Sequence, residues 1–166
     1  TFILSFIRER VAQRIATITK RHDIIDAVVN SHTSSVPEQL KAAKVLSAVS
    51  ESEEFKGITE ALNRVINISA KAQDDASGEI LEDRLETESE RNFVKAIQEL
   101  NAKVGSLTPE ELYSHLEAMA PKINDFFNEN MVMVDDEATR RNRLRFLGLL
   151  SEIILDLADF TSLIVK

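Results

Sequence analysis

Phe126-Phe127-Asn128-Glu129-Asn130-Met131-Val132-Met133-Val134-Asp135-Asp136, followed after Glu137 by Ala138-Thr139-Arg140-Arg141-Asn142-Arg143-Leu144-Arg145-Phe146-Leu147, is the stretch that decides the fold. An aromatic pair closes one helical pattern, the apolar run Met131 to Val134 interrupts the periodicity as a short, extended connection, and Asp135 or Asp136 caps a new helix. Beyond the cap, Phe146, Leu147, Leu150, Ile153, Ile154 and Leu157 recur at helical spacing in a segment expected to run to about Val165. At about 100° per residue they cover most of the circumference and leave a narrow polar stripe of Gly148, Glu152, Asp156 and Asp159. A helix apolar round most of its surface has to be central, which predicts an all-α bundle of about six helices.

The same wheel separates the four arginines between residues 140 and 145. Arg141 and Arg145 fall on the polar stripe, Arg140 lies at its border, and Arg143 points to the apolar side. An inward guanidinium needs a carboxylate or backbone carbonyls as partners, so Arg143 is expected to be structural. The outward arginines are either solvated surface charge or ligands for an anion.

Working back along the chain, Thr108-Pro109-Glu110-Glu111 is a helix start, with Thr as cap, Pro at the first position and Glu111 completing a capping box. That helix carries Leu112, Leu116, Met119, Ile123 and Phe126/Phe127 toward the core, and Pro121 is a candidate kink. Before it, a helix is expected from about Glu79 to Val104, closed by Gly105 as a C-terminal cap. Asp74-Asp75-Ala76-Ser77-Gly78 is the clearest loop signal, and Glu53 to Lys71 reads as the helix that precedes it. Pro37 suits the first turn of a helix reaching about Val49, Asp23 caps one ending near Asn30, and Ile3, Phe6/Ile7, Val11, Ile15 and Ile18 make residues 2 to about 20 amphipathic.

Composition agrees with a helical reading. Aromatic residues are 5% of the 166, and there are four glycines and no tryptophan, whereas β-sandwiches need more aromatics and turns. One helical domain over 1–166 is expected, and an apolar, helix-like opening without Met suggests a piece of a longer chain. With no cysteine, disulfides and thiolate metal sites are excluded, which fits a reducing cytoplasm. No apolar run approaches the roughly 20 residues of a membrane span, so no membrane partner is expected. A net charge of −8 argues against a general nucleic-acid binder, DNA included. The charge is uneven, however: Arg8, Arg10, Arg14, Lys20 and Arg21 near the start face Glu9 alone, while Asp74, Asp75, Glu79, Glu82, Asp83, Glu86, Glu88 and Glu90 face only Arg84. A local basic surface on an acidic body orients a polyanion rather than binding it everywhere.

The opening stretch resembles the FF(D/N)xVMVM(A/V)DDxxxRxNRLxLL signature of the β subunit of bacterial heterotetrameric glycyl-tRNA synthetases. There it begins the last helix of the anticodon-binding domain, a relative of the DALR domains of arginyl-tRNA synthetases. A second segment, Ala61-Leu62-Asn63-Arg64-Val65-Ile66-Asn67-Ile68-Ser69-Ala70-Lys71, is similar to the (N/K)RVxNIxxK stretch of the same subunits. Where the arginyl-type domains carry D-A-L-R, this chain has Glu137-Ala138-Thr139-Arg140, so that motif is half kept.

The resemblance implies an anticodon-binding domain that recognises the anticodon stem and loop of glycine tRNA. Arg64, Asn67 and Lys71, at spacings of three and four on one helix face, together with Arg140, Arg141 and Arg145, are then the candidate RNA-binding residues. It also implies a partner α subunit that holds ATP, Mg and amino-acid activation, so that this piece of the ligase contributes binding and not chemistry. The residues agree: no GxGxxG, P-loop or nucleophile elbow is present, and His22, His32 and His115 lack metal-ligand spacing. No catalytic residue, metal site or cofactor is expected within the chain. The other reading of the same surface is a helical protein–protein interaction domain whose arginines are salt-bridge partners.

Overall fold

The computed structural model describes residues 1–72 and 78–166. Seven α-helices carry the described fold: α1 (Phe2–Ile15), α2 (His22–Val29), α3 (Val36–Val49), α4 (Phe55–Lys71), α5 (Glu88–Lys103), α6 (Pro109–Glu129) and α7 (Glu137–Leu157). Short 3-10 turns lie at Glu82–Arg84, Val104–Ser106 and Phe160–Ser162, and the described residues contain no strand. The loop expected at Asp74 to Ser77 lies outside the described residues; Gly78, at its end, has φ of 113°.

α7 packs most extensively on α4 and also meets α5 and α6, as the wheel requires of a central helix. Phe146, Leu147, Leu150, Ile153, Ile154 and Leu157 are all buried. The core centres on three rings from three helices: Phe93 of α5, Phe126 of α6 and Phe146 of α7, with centroids 5.1 Å, 5.9 Å and 5.3 Å apart. Two of the pairs are edge-on, the arrangement the ring quadrupoles prefer.

Capping sets the boundaries. The Thr139 N–H donates to Asp136 Oδ2 at 2.9 Å, so of the two candidates Asp136 starts α7. Ser35 and Thr87 cap α3 and α5 by accepting from Glu38 and Glu90 N–H. Thr108 accepts from the Glu111 N–H at 3.2 Å, but the Glu111 carboxylate accepts from the Thr108 hydroxyl and not its N–H, so the expected capping box forms in one direction only. Pro121 lies on the exposed side of α6, which continues through it.

Five boundaries differ from the sequence reading, some for local reasons and some because distant residues supply the bonds. α1 stops at Ile15 because Thr17 Oγ1 donates to the Arg14 carbonyl and Thr19 Oγ1 accepts the Arg21 N–H, local bonds that compete with helix. Its apolar stripe is also only half covered: Val11 and Ile15 are buried, whereas Ile3, Phe6 and Ile7 are exposed. α2 starts at His22 with no side-chain cap; Asp23 instead accepts from the Arg21 guanidinium and from the Ile164 N–H. Residues 79–87 are not the first turns of α5, because their backbone is bonded by side chains of α7. Gly105 sits inside a 3-10 turn rather than capping α5. The last helix ends at Leu157, where Asp159 donates its N–H to Ala27 of α2 and turns the chain so that Phe160 is buried.

Candidate nucleic-acid interface

The arginine-rich start of α7 is divided between holding the fold and facing outward. Arg143 is 2% exposed. Its Nε donates to Glu90 Oε1 at 2.9 Å, Nη2 to Glu86 Oε2 at 3.0 Å, and Nη1 to the Met131 carbonyl at 2.6 Å. Burial works to lower its pKa, but the hydrogen bond and charge of Glu90, then those of Glu86, outweigh this and the value is raised. The inward assignment from the wheel is therefore correct, and one side chain ties α7, the start of α5 and the 130–134 loop.

Asn142 does related work in the preceding position. Its Nδ2 donates to the Leu81 carbonyl at 2.9 Å and its Oδ1 accepts the Leu81 N–H at 2.7 Å, so both polar groups of one backbone unit are satisfied by one amide. Arg145 Nη1 donates to the Glu79 carbonyl at 3.1 Å, and Arg84 pairs with Asp136 at 3.9 Å. Residues 78–86 thus run antiparallel along the first half of α7, strapped at Arg145, Asn142, Arg143 and Asp136. Arg145 was expected on the solvent stripe; it is half-buried because this strap, absent from any helical wheel, crosses it.

The remaining candidates face outward to different degrees. Arg140 is half-buried and donates to the Val134 carbonyl at 3.0 Å, which holds the connection into α7. Arg141 is exposed and pairs with Glu137 at 2.6 Å, one turn back. Arg64, Asn67 and Lys71 are all exposed along one face of α4, as the spacing predicted. α4 and α7 pack on one another, which puts the two groups of candidates on neighbouring helices.

The structure adds three residues of the opening stretch that were not among the candidate binding residues. Phe127, half-buried at the end of α6, carries the Arg64 guanidinium 4.1 Å above its ring. A few residues on, Met131 and Met133 are 74% and 66% exposed on either side of the buried Val132. The alternation Met-Val-Met in a segment too short to be a helix was the available signal, since period two puts its odd positions on the opposite face from Val132. On another side, a groove between α5 and α6 is lined by Glu88, Glu99, Asp125 and Glu129 against Lys95 and Lys122, an acidic wall unsuited to a phosphate backbone.

No described residues group three or more His, Asp or Glu side chains in a way that holds a metal ion. No described helix is long and apolar enough to cross a membrane.

The DALR anticodon binding domain family model matches residues 58–159, which span α4 to α7 and hence both groups of candidate residues. Over 164 residues the chain is 35% identical to the glycine--tRNA ligase beta subunit of Lactobacillus acidophilus, covering 99% of this chain and 23% of that protein. It is similar to the same subunit of Streptococcus pyogenes serotype M18 (37% over 164 residues, 99% and 23%) and of Lactiplantibacillus plantarum (33% over 166 residues, 99% and 24%). The chain spans about a quarter of the length of these relatives, 23 to 24%.

Proposed function

The chain belongs to the DALR anticodon binding domain family, and from that premise we propose that it reads the anticodon stem and loop of glycine tRNA as part of a glycine–tRNA ligase β subunit. The observation that carries this reading is the α4 face. Arg64, Asn67 and Lys71 are exposed in one row, and neither cation is ion-paired to a carboxylate among the described residues, in a chain of net charge −8. Two cations kept available on an acidic body supply phosphate contacts at one place, and the acidic remainder opposes binding elsewhere. Arg141 on the neighbouring helix is exposed and pairs one turn back with Glu137, an i,i+4 contact of a kind worth about 0.3–0.5 kcal/mol.

Glycine codons begin with GG, so the shared anticodon letters are cytosines, which present a donor amino group beside acceptor N3 and O2. An amide such as Asn67 offers both a donor and an acceptor to that edge. Amino-acid activation, with ATP and Mg, then resides on a partner α subunit in the cytoplasm, and this chain supplies affinity and discrimination.

The second reading, a protein-interaction domain, is favoured by the first two turns of α1, where Phe2, Ile3, Leu4, Phe6 and Ile7 are all exposed. Filter binding of the chain to glycine tRNA against an unrelated tRNA separates the two. Preference for glycine tRNA, with affinity falling steeply with salt, is the expected result; equal binding of both overturns the assignment to glycine tRNA, and binding of neither overturns the RNA reading.

A further inference from the structure

The Arg64–Phe127 pair has a geometry that phosphate binding does not require. A guanidinium that only neutralises phosphate works from any rotamer, whereas this one lies 4.1 Å above the centroid of an aromatic ring. The ring covers the guanidinium and desolvates the side that faces it. Because Arg64 is exposed, its other face is open to solvent, and no carboxylate among the described residues draws it edge-on into an ion pair. A planar cation with one face backed and one face open is a surface on which a flat, π-rich group stacks. Phe127 itself is held, since its ring packs 5.2 Å from Phe126, which belongs to the three-ring core.

We propose that Arg64, backed by Phe127, is a stacking platform for one unpaired base of the bound RNA, with Asn67 at the edge of that base and Lys71 at its phosphate. This rests on the RNA-binding reading above and adds to it the mode of contact. Asn67 and Lys71 follow Arg64 by three and seven residues on the same exposed face of α4, about 4.5 Å and 10.5 Å along the axis. That order places an edge-reading amide beside the stacked base and a flexible cation beyond it. Met131 and Met133, exposed four and six residues after Phe127, provide soft apolar surface on the loop next to the platform.

The test couples a protein variant to missing bases. The hairpin of the glycine tRNA anticodon stem and loop is made with one abasic site at each loop position in turn, and each is titrated against the wild-type chain and Arg64→Lys. Lysine keeps the charge and loses the plane, so the log–log salt slope stays as in wild type while affinity for the intact hairpin falls about five- to tenfold. At one loop position the abasic hairpin should bind wild type about five- to tenfold more weakly, and Arg64→Lys should show no further loss there. Phe127→Leu, which leaves the arginine but removes its backing, should give a smaller loss at the same position, with folding checked by the melting curve. Additive losses at every position, or an Arg64→Lys chain that binds the intact hairpin as wild type does, overturn the platform while leaving RNA recognition standing. A wild-type chain that binds neither the hairpin nor glycine tRNA overturns both.

Discussion

Arg143 of α7 and Glu90 of α5 meet across 2.9 Å with side chains 3% and 0% exposed, which makes them a buried ion pair linking the two helices. Glu90 also accepts the Glu86 N–H at 2.8 Å, so its carboxylate bonds the strap backbone as well as the guanidinium. Arg143→Ala strands Glu90 in a dry site and is expected to cost roughly 3–5 kcal/mol, lowering the melting temperature by many degrees. The double variant Arg143→Met with Glu90→Leu should recover most of that loss, because the penalty belongs to the uncompensated charge. Thermal unfolding of both variants checks it, and a double variant no better than the single would show that the Met131 and Glu86 contacts dominate instead.

Arg141→Ala should leave stability within about 0.5 kcal/mol of wild type, since Arg141 is exposed and its pair with Glu137 is a surface contact. If Arg141 meets a phosphate, the same substitution flattens the salt dependence of tRNA binding by about 0.7 of a log–log unit. Stability and binding should thus sort oppositely between Arg141 and Arg143, and melting curves alongside binding titrations decide it.

Asn142→Ala removes both partners of the Leu81 backbone. Its loss should destabilise by about 1–3 kcal/mol, the cost of unpaired polar groups. Limited proteolysis should then cut within residues 79–87 faster than in wild type, while the cores of α5 and α6 stay protected. Unchanged cleavage would mean that Arg145 and Arg143 suffice to hold the strap.

Gly78→Ala should destabilise by about 1–3 kcal/mol, because φ of 113° suits glycine and strains any residue with a Cβ. The new Cβ would also lie 3.1 Å from Arg145 Nε, so that side chain has to shift. A denaturant midpoint equal to wild type would disprove the strain.

The C-terminal tail should release in acid. Burial works to raise the Asp23 pKa, but the Arg21 hydrogen bond and the Ile164 N–H outweigh it and hold the group below its ordinary 3.8. A depressed folded-state value means that the contribution is present above the unfolded pKa and is lost as pH falls through the folded one. The Ile164 amide resonance should therefore be native at pH 5 and shift only below about pH 3.8. Asp23→Ala should abolish that titration at a cost of about 1 kcal/mol, modest because Arg21 is one-third exposed.

Helical periodicity along the chain, with its composition, determined the all-α class, and the spacing in α7 determined that the last helix is central and that Arg143 turns inward while Arg141 turns out. The last two are properties of spacing on one helix, and nothing from another element is needed to state them. The same holds for the α4 row of Arg64, Asn67 and Lys71, which is local, and for the cap at Thr108, whereas the choice of Asp136 over Asp135 came from the structure. What only the tertiary structure decided is whatever depends on residues far apart in sequence. Arg145 looked solvent-facing until residues 78–86 crossed it, because its partner Glu79 lies 66 residues away. Residues 79–87 matched a helical pattern, yet Asn142 and Arg145 satisfy their backbone from outside and remove the reason to form one. Asp23 matched a cap, yet it serves Ile164, 141 residues on. Phe127 read as core and does pack against it, but its ring also became the seat of Arg64 because two helices with no shared local pattern pack side by side. Helical spacing specifies the direction in which a side chain points, and packing specifies what it meets there.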